Sequence, residues 1–234
     1  MFWWIFLLFI IILALFVYWQ FILAEGAYFG APLVALLYDW TAERYNTIKD
    51  FDNDLEQLTL GTPLANRLAH QPEATVLDVA TGTGRLPLVL FRQPHYRGRV
   101  IGVDRAVKML NVARRDTRPF AERISLVQAD AMALPFADNS LPVVTSLEAM
   151  EFLPQPQTGL TELVRVLRPV SAPHPDSGWL LFTNRIGWEA RLMPGKTWPT
   201  AQLKQILAKF PLRYVDVVAW QTIYDMVWAQ KIQR

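Results

Sequence analysis

The sequence predicts an α/β protein with a doubly wound, mostly parallel sheet, preceded by one hydrophobic helix of membrane-spanning length. Two observations carry that reading. From about residue 74, short apolar runs alternate with helix-length amphipathic segments, the pattern of strands joined by right-handed crossovers. Before that, Met1 to Ala24 contains no charged side chain, and Gln20 is its only strongly polar one.

As a helix the first segment would be roughly 36 Å long, against about 30 Å of bilayer hydrocarbon. Trp3 and Trp4 near one end, with Tyr18 and Trp19 near the other, suit the two membrane–water interfaces. Residues 1–24 are therefore expected to be a single-pass membrane anchor. A cleaved signal peptide would start with basic residues and carry a shorter apolar core. A buried core helix would need cover on every side. The first basic residues beyond it, Arg44 and Lys49, are too distant to orient it by charge. Residues 27–40, AYFGAPLVALLYDW, are apolar but too short to span. They could lie along the membrane, cover the mouth of the domain, or pack as a connecting helix. This divides the chain into an anchor (1–24), a connecting or interfacial segment that could cover the domain (25–50) and the main domain (51–234).

The strands follow in order. ATVLDVA (74–80) is a buried strand entering a glycine-rich turn, followed by a helix from about Gly84 to Arg92. GRVIGVD (98–104) is the second strand, and Ala106 to Arg115 the next helix. ISLVQAD (124–130) and LPVVTSL (141–147) are the third and fourth strands; Thr161 to Leu167 is helical and GWLLFTN (178–184) is the fifth. After a helix near 200–209, two strand-like runs meet at Gln221 and Thr222 without a helix between them. That is a hairpin, so the sheet should end antiparallel.

Composition removes several classes of function. A net charge of +2 argues against a nucleic-acid partner, which would show a basic patch. With no cysteine there can be no disulfide, thiolate zinc site or cysteine nucleophile. His70, His95 and His174 are far apart and show no metal-ligand spacing.

The informative segment is VLDVATGTGRL (76–86). Gly82 and Gly84 permit a tight turn and let a ligand approach the backbone. Asp78 sits at the strand's carboxyl end, where open α/β sheets bind ligands, and suits an ammonium group. Asp104 closes the second strand, where an acid can accept from both ribose hydroxyls of an adenosine. Asp130 ends the third strand, where it could take an adenine amino group flanked by Ala131 and Met132. Taken singly, a glycine pair is often only a turn and a terminal Asp only a helix cap. An NAD-linked oxidoreductase uses a similar layout, but its third glycine position here holds Pro87, and Asp78 would repel a pyrophosphate.

VLDVATGTG, VIGVD, QADAMALPFADNS and ELVRVLRP, in this order, resemble the class I S-adenosylmethionine-dependent methyltransferases, especially the group that includes quinone-ring C-methyltransferases. The likeness covers roughly residues 38 to 185. It implies a Rossmann-like, seven-stranded sheet of order 3-2-1-4-5-7-6 and S-adenosylmethionine as cofactor. It also implies that Asp78, Gly82 and Gly84 line the methionine part, Asp104 the ribose, and Asp130 with Ala131 the adenine. Ala80, Thr81, Arg105 and Met132 complete the expected cofactor set. YDWTAERYN (38–46) is similar to the entry segment that covers the cofactor, making Tyr38 and Tyr45 contacts. Two features depart from the pattern. Ala80 stands where the motif's first glycine would be, and VSAPHPDSG replaces the usual Gly-Gly after RVLRP.

Methyl transfer mainly requires in-line positioning and exclusion of water, so it leaves little trace in sequence. SLEAMEF offers Glu148 as the candidate catalytic base, with Glu151 beside it; Glu148 could equally make only a structural hydrogen bond. No Asn-Pro-Pro-aromatic run follows the fourth strand. Arg185, Arg191 and Lys196, interleaved with Trp188 and Trp198, could meet anionic headgroups or form an ordinary solvated loop. The anchor favours a small hydrophobic or lipid-like acceptor, since a shared membrane raises effective concentration. The cofactor's origin places the domain on the cytoplasmic side. A noncatalytic membrane scaffold that keeps the nucleotide fold is the competing reading.

Overall fold

The computed structural model describes residues 2–171 and 177–233. His174 and the middle of the proline-rich loop lie outside the described residues. The chain begins with α1 (Phe2–Tyr18), prolonged by a π-helical turn over Trp19–Leu23. Residues Trp3–Leu23 form a helix long and apolar enough to cross a membrane, and only 6% of it is buried against the rest of the protein. Gln20 is the exception. It is 1% exposed, on the wide turn that carries the helix into the domain.

The second apolar stretch belongs to a longer helix, α2 (Ala31–Lys49), which starts only after Gly30 and runs well past residue 40. Its small and aromatic face (Ala42, Ala35, Tyr38, Tyr45) packs on Ala106, Met109 and Val112. Two short helices follow, α3 (Asn53–Glu56) and α4 (Thr62–Arg67), separated by a second π-turn.

The sheet then builds in the expected rhythm. β1 (Val76–Val79) leads to α5 (Arg85–Phe91), β2 (Val100–Asp104) to α6 (Val107–Asp116), and β3 (Ile124–Gln128) to β4 (Val143–Ser146). Next come α7 (Pro156–Val166), β5 (Trp179–Arg185), the short α8 (Gly187–Arg191), α9 (Thr200–Leu207), β6 (Leu212–Trp220) and β7 (Tyr224–Lys231). The order is β3-β2-β1-β4-β5-β7-β6. β1 to β5 pair in parallel, whereas β7 runs antiparallel to both β5 and β6, as the terminal hairpin requires.

β1, β4 and β7 are buried at every position, as strands of a sheet covered on both faces are. One core cluster, centred on Leu77, Val144, Leu180 and Phe182, packs under α7 and α9. A second, with Val76, Leu90, Val143 and Trp228, packs under α4 and α5. β6 is the exposed edge. A register irregularity between Arg213 and Asp216, with Tyr214 at φ +50°, twists that edge and blunts it against further pairing.

Candidate active site

The strand order reverses between β1 and β4, and open α/β sheets bind ligands outside the strand ends at such a point. A cavity lies there. Ala80 and Gly82 after β1, Asp104 and Arg105 after β2, and Asp130 and Ala131 beyond β3 line one side. Leu147, Glu148 and Ala149 close it from β4, and Tyr38 and Tyr45 of α2 cover it. A second, smaller cavity continues past Gly82 to Asp78, Thr81, Thr83 and Arg85.

Asp78 is buried at the bottom of this second cavity, its oxygens accepting from Thr81 Oγ1 and Thr145 Oγ1, each at 2.7 Å. Burial pushes its carboxyl up to about 6 in spite of those hydroxyls. Asp104 Oδ2 accepts from the Gly82 N–H and Oδ1 from the Ala106 N–H, both at 2.8 Å. Burial raises this carboxyl too, against the pull of the backbone N–H groups. The carboxylate thus ties the end of β2 to the glycine turn of β1. Asp130 lies two residues past the end of β3, because the chain turns there. Its Oδ1 accepts from the Met132 N–H (2.9 Å) and its Oδ2 from Arg105 Nη1 (2.6 Å).

Gly82 (φ +54°) is open on the cavity side, since a Cβ there would meet no atom within 4 Å. Backbone left bare toward a cavity is what close approach of a ligand requires. Gly84 differs. At φ +85° it starts α5, and a Cβ would press on Thr117 at 3.2 Å and Ala113 at 3.3 Å. It and Met132 line neither cavity; Gly84 serves helix packing, and the Met132 N–H serves Asp130. Ala80 holds φ +58°, a left-handed conformation that costs a non-glycine residue about 1 kcal/mol. Ala80→Gly should therefore stabilise the protein by up to about 1 kcal/mol in thermal denaturation. An unchanged or lower midpoint would show that the alanine is unstrained.

Tyr38 Oη donates to Glu25 Oε2 at 2.6 Å, and its ring sits 5.8 Å from both Tyr45 and Phe152. Burial, reinforced by Glu25, holds its hydroxyl well above the ordinary value. Glu148 is at φ +49° and accepts from Lys49 Nζ (3.0 Å) and Arg85 Nη1 (2.5 Å). Burial presses its carboxyl upward, but the Lys49 and Arg85 cations outweigh that and hold it below the ordinary value. A carboxylate so paired is a weak proton acceptor. It clasps α2 to the glycine turn.

Sequence reasoning missed the other members of this clasp. Arg85 is gripped by Glu56 through Nε and Nη2, and its guanidinium lies over Phe51 and Trp220. Asn46 of α2 accepts from Thr83 Oγ1 at 2.6 Å. These partners lie 29 to 63 residues apart, beyond any local pattern. Glu151, by contrast, is fully enclosed. Its Oε1 accepts from Tyr224 Oη at 2.8 Å, Oε2 has no partner, and burial pushes the carboxyl up to about 7.

The expected basic, aromatic surface is mostly interior. Lys196 is 7% exposed and donates to the Leu153 and Pro154 carbonyls, Trp198 is 9% exposed, and Arg185 is held by Glu189. Trp188 remains outside, 60% exposed.

Known proteins agree with this geometry. Residues 77–171 match the family model described as a methyltransferase domain. A demethylmenaquinone methyltransferase of Symbiobacterium thermophilum is 32% identical over 164 residues, 67% of this chain and 65% of that protein. The chain thus spans just under two thirds of that relative's length. The demethylmenaquinone methyltransferase of Thermus thermophilus is 33% identical over 162 residues, 65% of this chain and 71% of that one. Among solved structures, the cyclase SpnF superposes with a TM-score of 0.69 at 18% identity, over 88% of this chain and 97% of that chain, which is a likeness of fold. Carboxylates at or just beyond the ends of three neighbouring strands, a bare glycine turn and a 33% identical relative converge: the chain belongs to the class I S-adenosylmethionine-dependent methyltransferases.

Proposed function

We propose that the protein is a membrane-anchored methyltransferase that methylates a small lipid-like acceptor, namely the ring of a quinol. The observation that carries the reading is the row of carboxylates along the sheet's carboxyl edge, complementary to a cationic, adenosine-bearing donor. S-adenosylmethionine supplies an electrophilic methyl group on a positively charged sulfur. Asp104 would accept from the ribose hydroxyls, Asp78 would face the amino-acid end, Asp130 and Ala131 would border the base, and Gly82 would let the ligand reach the backbone. Thr81, Ala80 and Arg105 shape the same walls, while Tyr38 and Tyr45 exclude water from above. Glu148 acts as the clasp that keeps α2 closed.

The quinol reading draws on the relatives named demethylmenaquinone methyltransferase. The anchor reading draws on the apolar helix Trp3–Leu23, which would hold enzyme and lipid acceptor in one membrane, with the domain on the cytoplasmic side where the donor is made. Full-length protein in lipid nanodiscs, given methyl-labelled S-adenosylmethionine and 2-prenyl-1,4-naphthohydroquinone, should release S-adenosylhomocysteine and label the extracted lipid. Binding of the donor with no turnover of any lipid would support a noncatalytic scaffold instead.

A further inference from the structure

Among the described residues, buried polar atoms without a hydrogen-bond partner include Glu151 Oε2 and Arg185 Nε. The two belong together. Arg185 ends β5 and Glu151 follows β4, the neighbouring strand, and each feels the other's charge. Tyr224, the first residue of β7, joins them: its hydroxyl donates to Glu151 Oε1, and its ring lies 5.9 Å from the Arg185 guanidinium. A buried acid with a free oxygen beside a buried cation with a free N–H is costly unless something polar completes it.

The place suits an acceptor rather than the donor. Neither side chain lines the two cavities that gather Asp78 and Asp104, yet Ala149 and Phe152, on either side of Glu151, line the larger one. Arg185 borders a further cavity with Met193 and Trp198. The membrane helix arrives at this spot. Trp19 Nε1 donates to the Leu192 carbonyl at 2.8 Å, Tyr28 Oη to the Pro194 carbonyl at 3.0 Å, and Ala24 and Ala27 pack on Phe152 and Met193.

We infer that Glu151 and Arg185 form the subsite for a ring hydroxyl of a lipid-tailed dihydroxyaromatic acceptor, with Glu151 its proton acceptor. This rests on the quinol reading above and names the residues that serve it. The hydroxyl's O–H bond breaks, its proton passes to Glu151 Oε2, and its electron pair stays on the oxygen beside the Arg185 guanidinium, delocalised into the ring. Glu151 is the catalytic residue of the pair; Tyr224 positions it. The charged and titratable groups facing Glu151 are Arg185 from β5, Tyr224 from β7 and Glu148 from its own loop.

The test uses full-length protein in nanodiscs with 2-prenyl-1,4-naphthohydroquinone kept reduced. Wild-type kcat should rise with pH through about 7, where the Glu151 carboxyl ionises. Glu151→Gln keeps the acceptor atom for Tyr224, so its melting point should not fall and its affinity for S-adenosylmethionine should stay within about twofold. Its kcat should drop about 100-fold or more, with the rising limb lost. Tyr224→Phe removes a bond that favours the ionised carboxylate, so the limb should move to higher pH. Arg185→Lys should raise KM for the quinol at unchanged donor affinity. Quinol turnover and a pH profile unchanged in Glu151→Gln would overturn the subsite while leaving the quinol reading intact. A wild-type enzyme that methylates another acceptor but no quinol would overturn both.

Discussion

Replacing Asp104 by alanine is expected to weaken S-adenosylmethionine binding at least about 100-fold in calorimetry on the full-length protein. Two hydrogen bonds from ribose hydroxyls to one carboxylate contribute about 1.5–3 kcal/mol each, and every 1.4 kcal/mol is tenfold in affinity. The loss has a second source within the fold. The same oxygens accept from Gly82 and Ala106 N–H, so alanine also releases the glycine turn from the end of β2. Asp104→Asn separates the two. It retains a carbonyl to accept from one backbone N–H but has no charge, and should bind with intermediate affinity. Native affinity in Asp104→Ala would remove the ribose site from this edge of the sheet.

How much of this was legible in the sequence depended on the kind of interaction. Burial leaves a periodic record. β1, β4 and β5 read as largely apolar runs because both faces are covered, and the hairpin was visible as two strand-like runs meeting at Gln221, which takes φ +48°. The ends of β1 and β2 could be read because a chain leaving a strand at a ligand site uses glycine and acid residues in fixed order. β3 was read too long, since Asp130 resembles a strand terminus but belongs to a turn closed by its own carboxylate.

Partnership leaves no such record. Lys196 and Arg185 read as surface charge because composition cannot show that one is spent on loop carbonyls and the other on Glu189. Arg85 could be read only as a residue following glycine, yet it is held by Glu56 and Glu148 from two other elements. The first helix carries the same lesson. Apolar length marks a helix able to span a membrane, but not that Gln20 is buried near its end or that Glu25 receives the Tyr38 hydroxyl. Glu25, just after that helix, thereby joins it to Tyr38, which lines the larger cavity.

Asp78→Asn is expected to do two opposite things: stabilise the ligand-free protein above pH 6 and weaken donor binding. Burial raises the Asp78 carboxyl from an ordinary 3.8 to about 6. A folded-state pKa raised in this way contributes stability that is fully present below 3.8 and is lost as pH rises through 6. Above that pH the buried charge costs the empty fold about 3 kcal/mol. Asparagine removes the charge and can still engage Thr81 and Thr145, whose hydroxyls both donate and accept. The ligand's ammonium group reverses the balance, because it pairs with the ionised form alone. Wild-type affinity for S-adenosylmethionine should therefore tighten as pH rises through about 6, and that dependence should vanish in Asp78→Asn. Thermal melts and calorimetry at pH 5 and pH 8 read both effects. A variant that is less stable at pH 8, or that keeps wild-type affinity there, would mean that Asp78 is a structural carboxylate and that the donor's cationic end is held elsewhere.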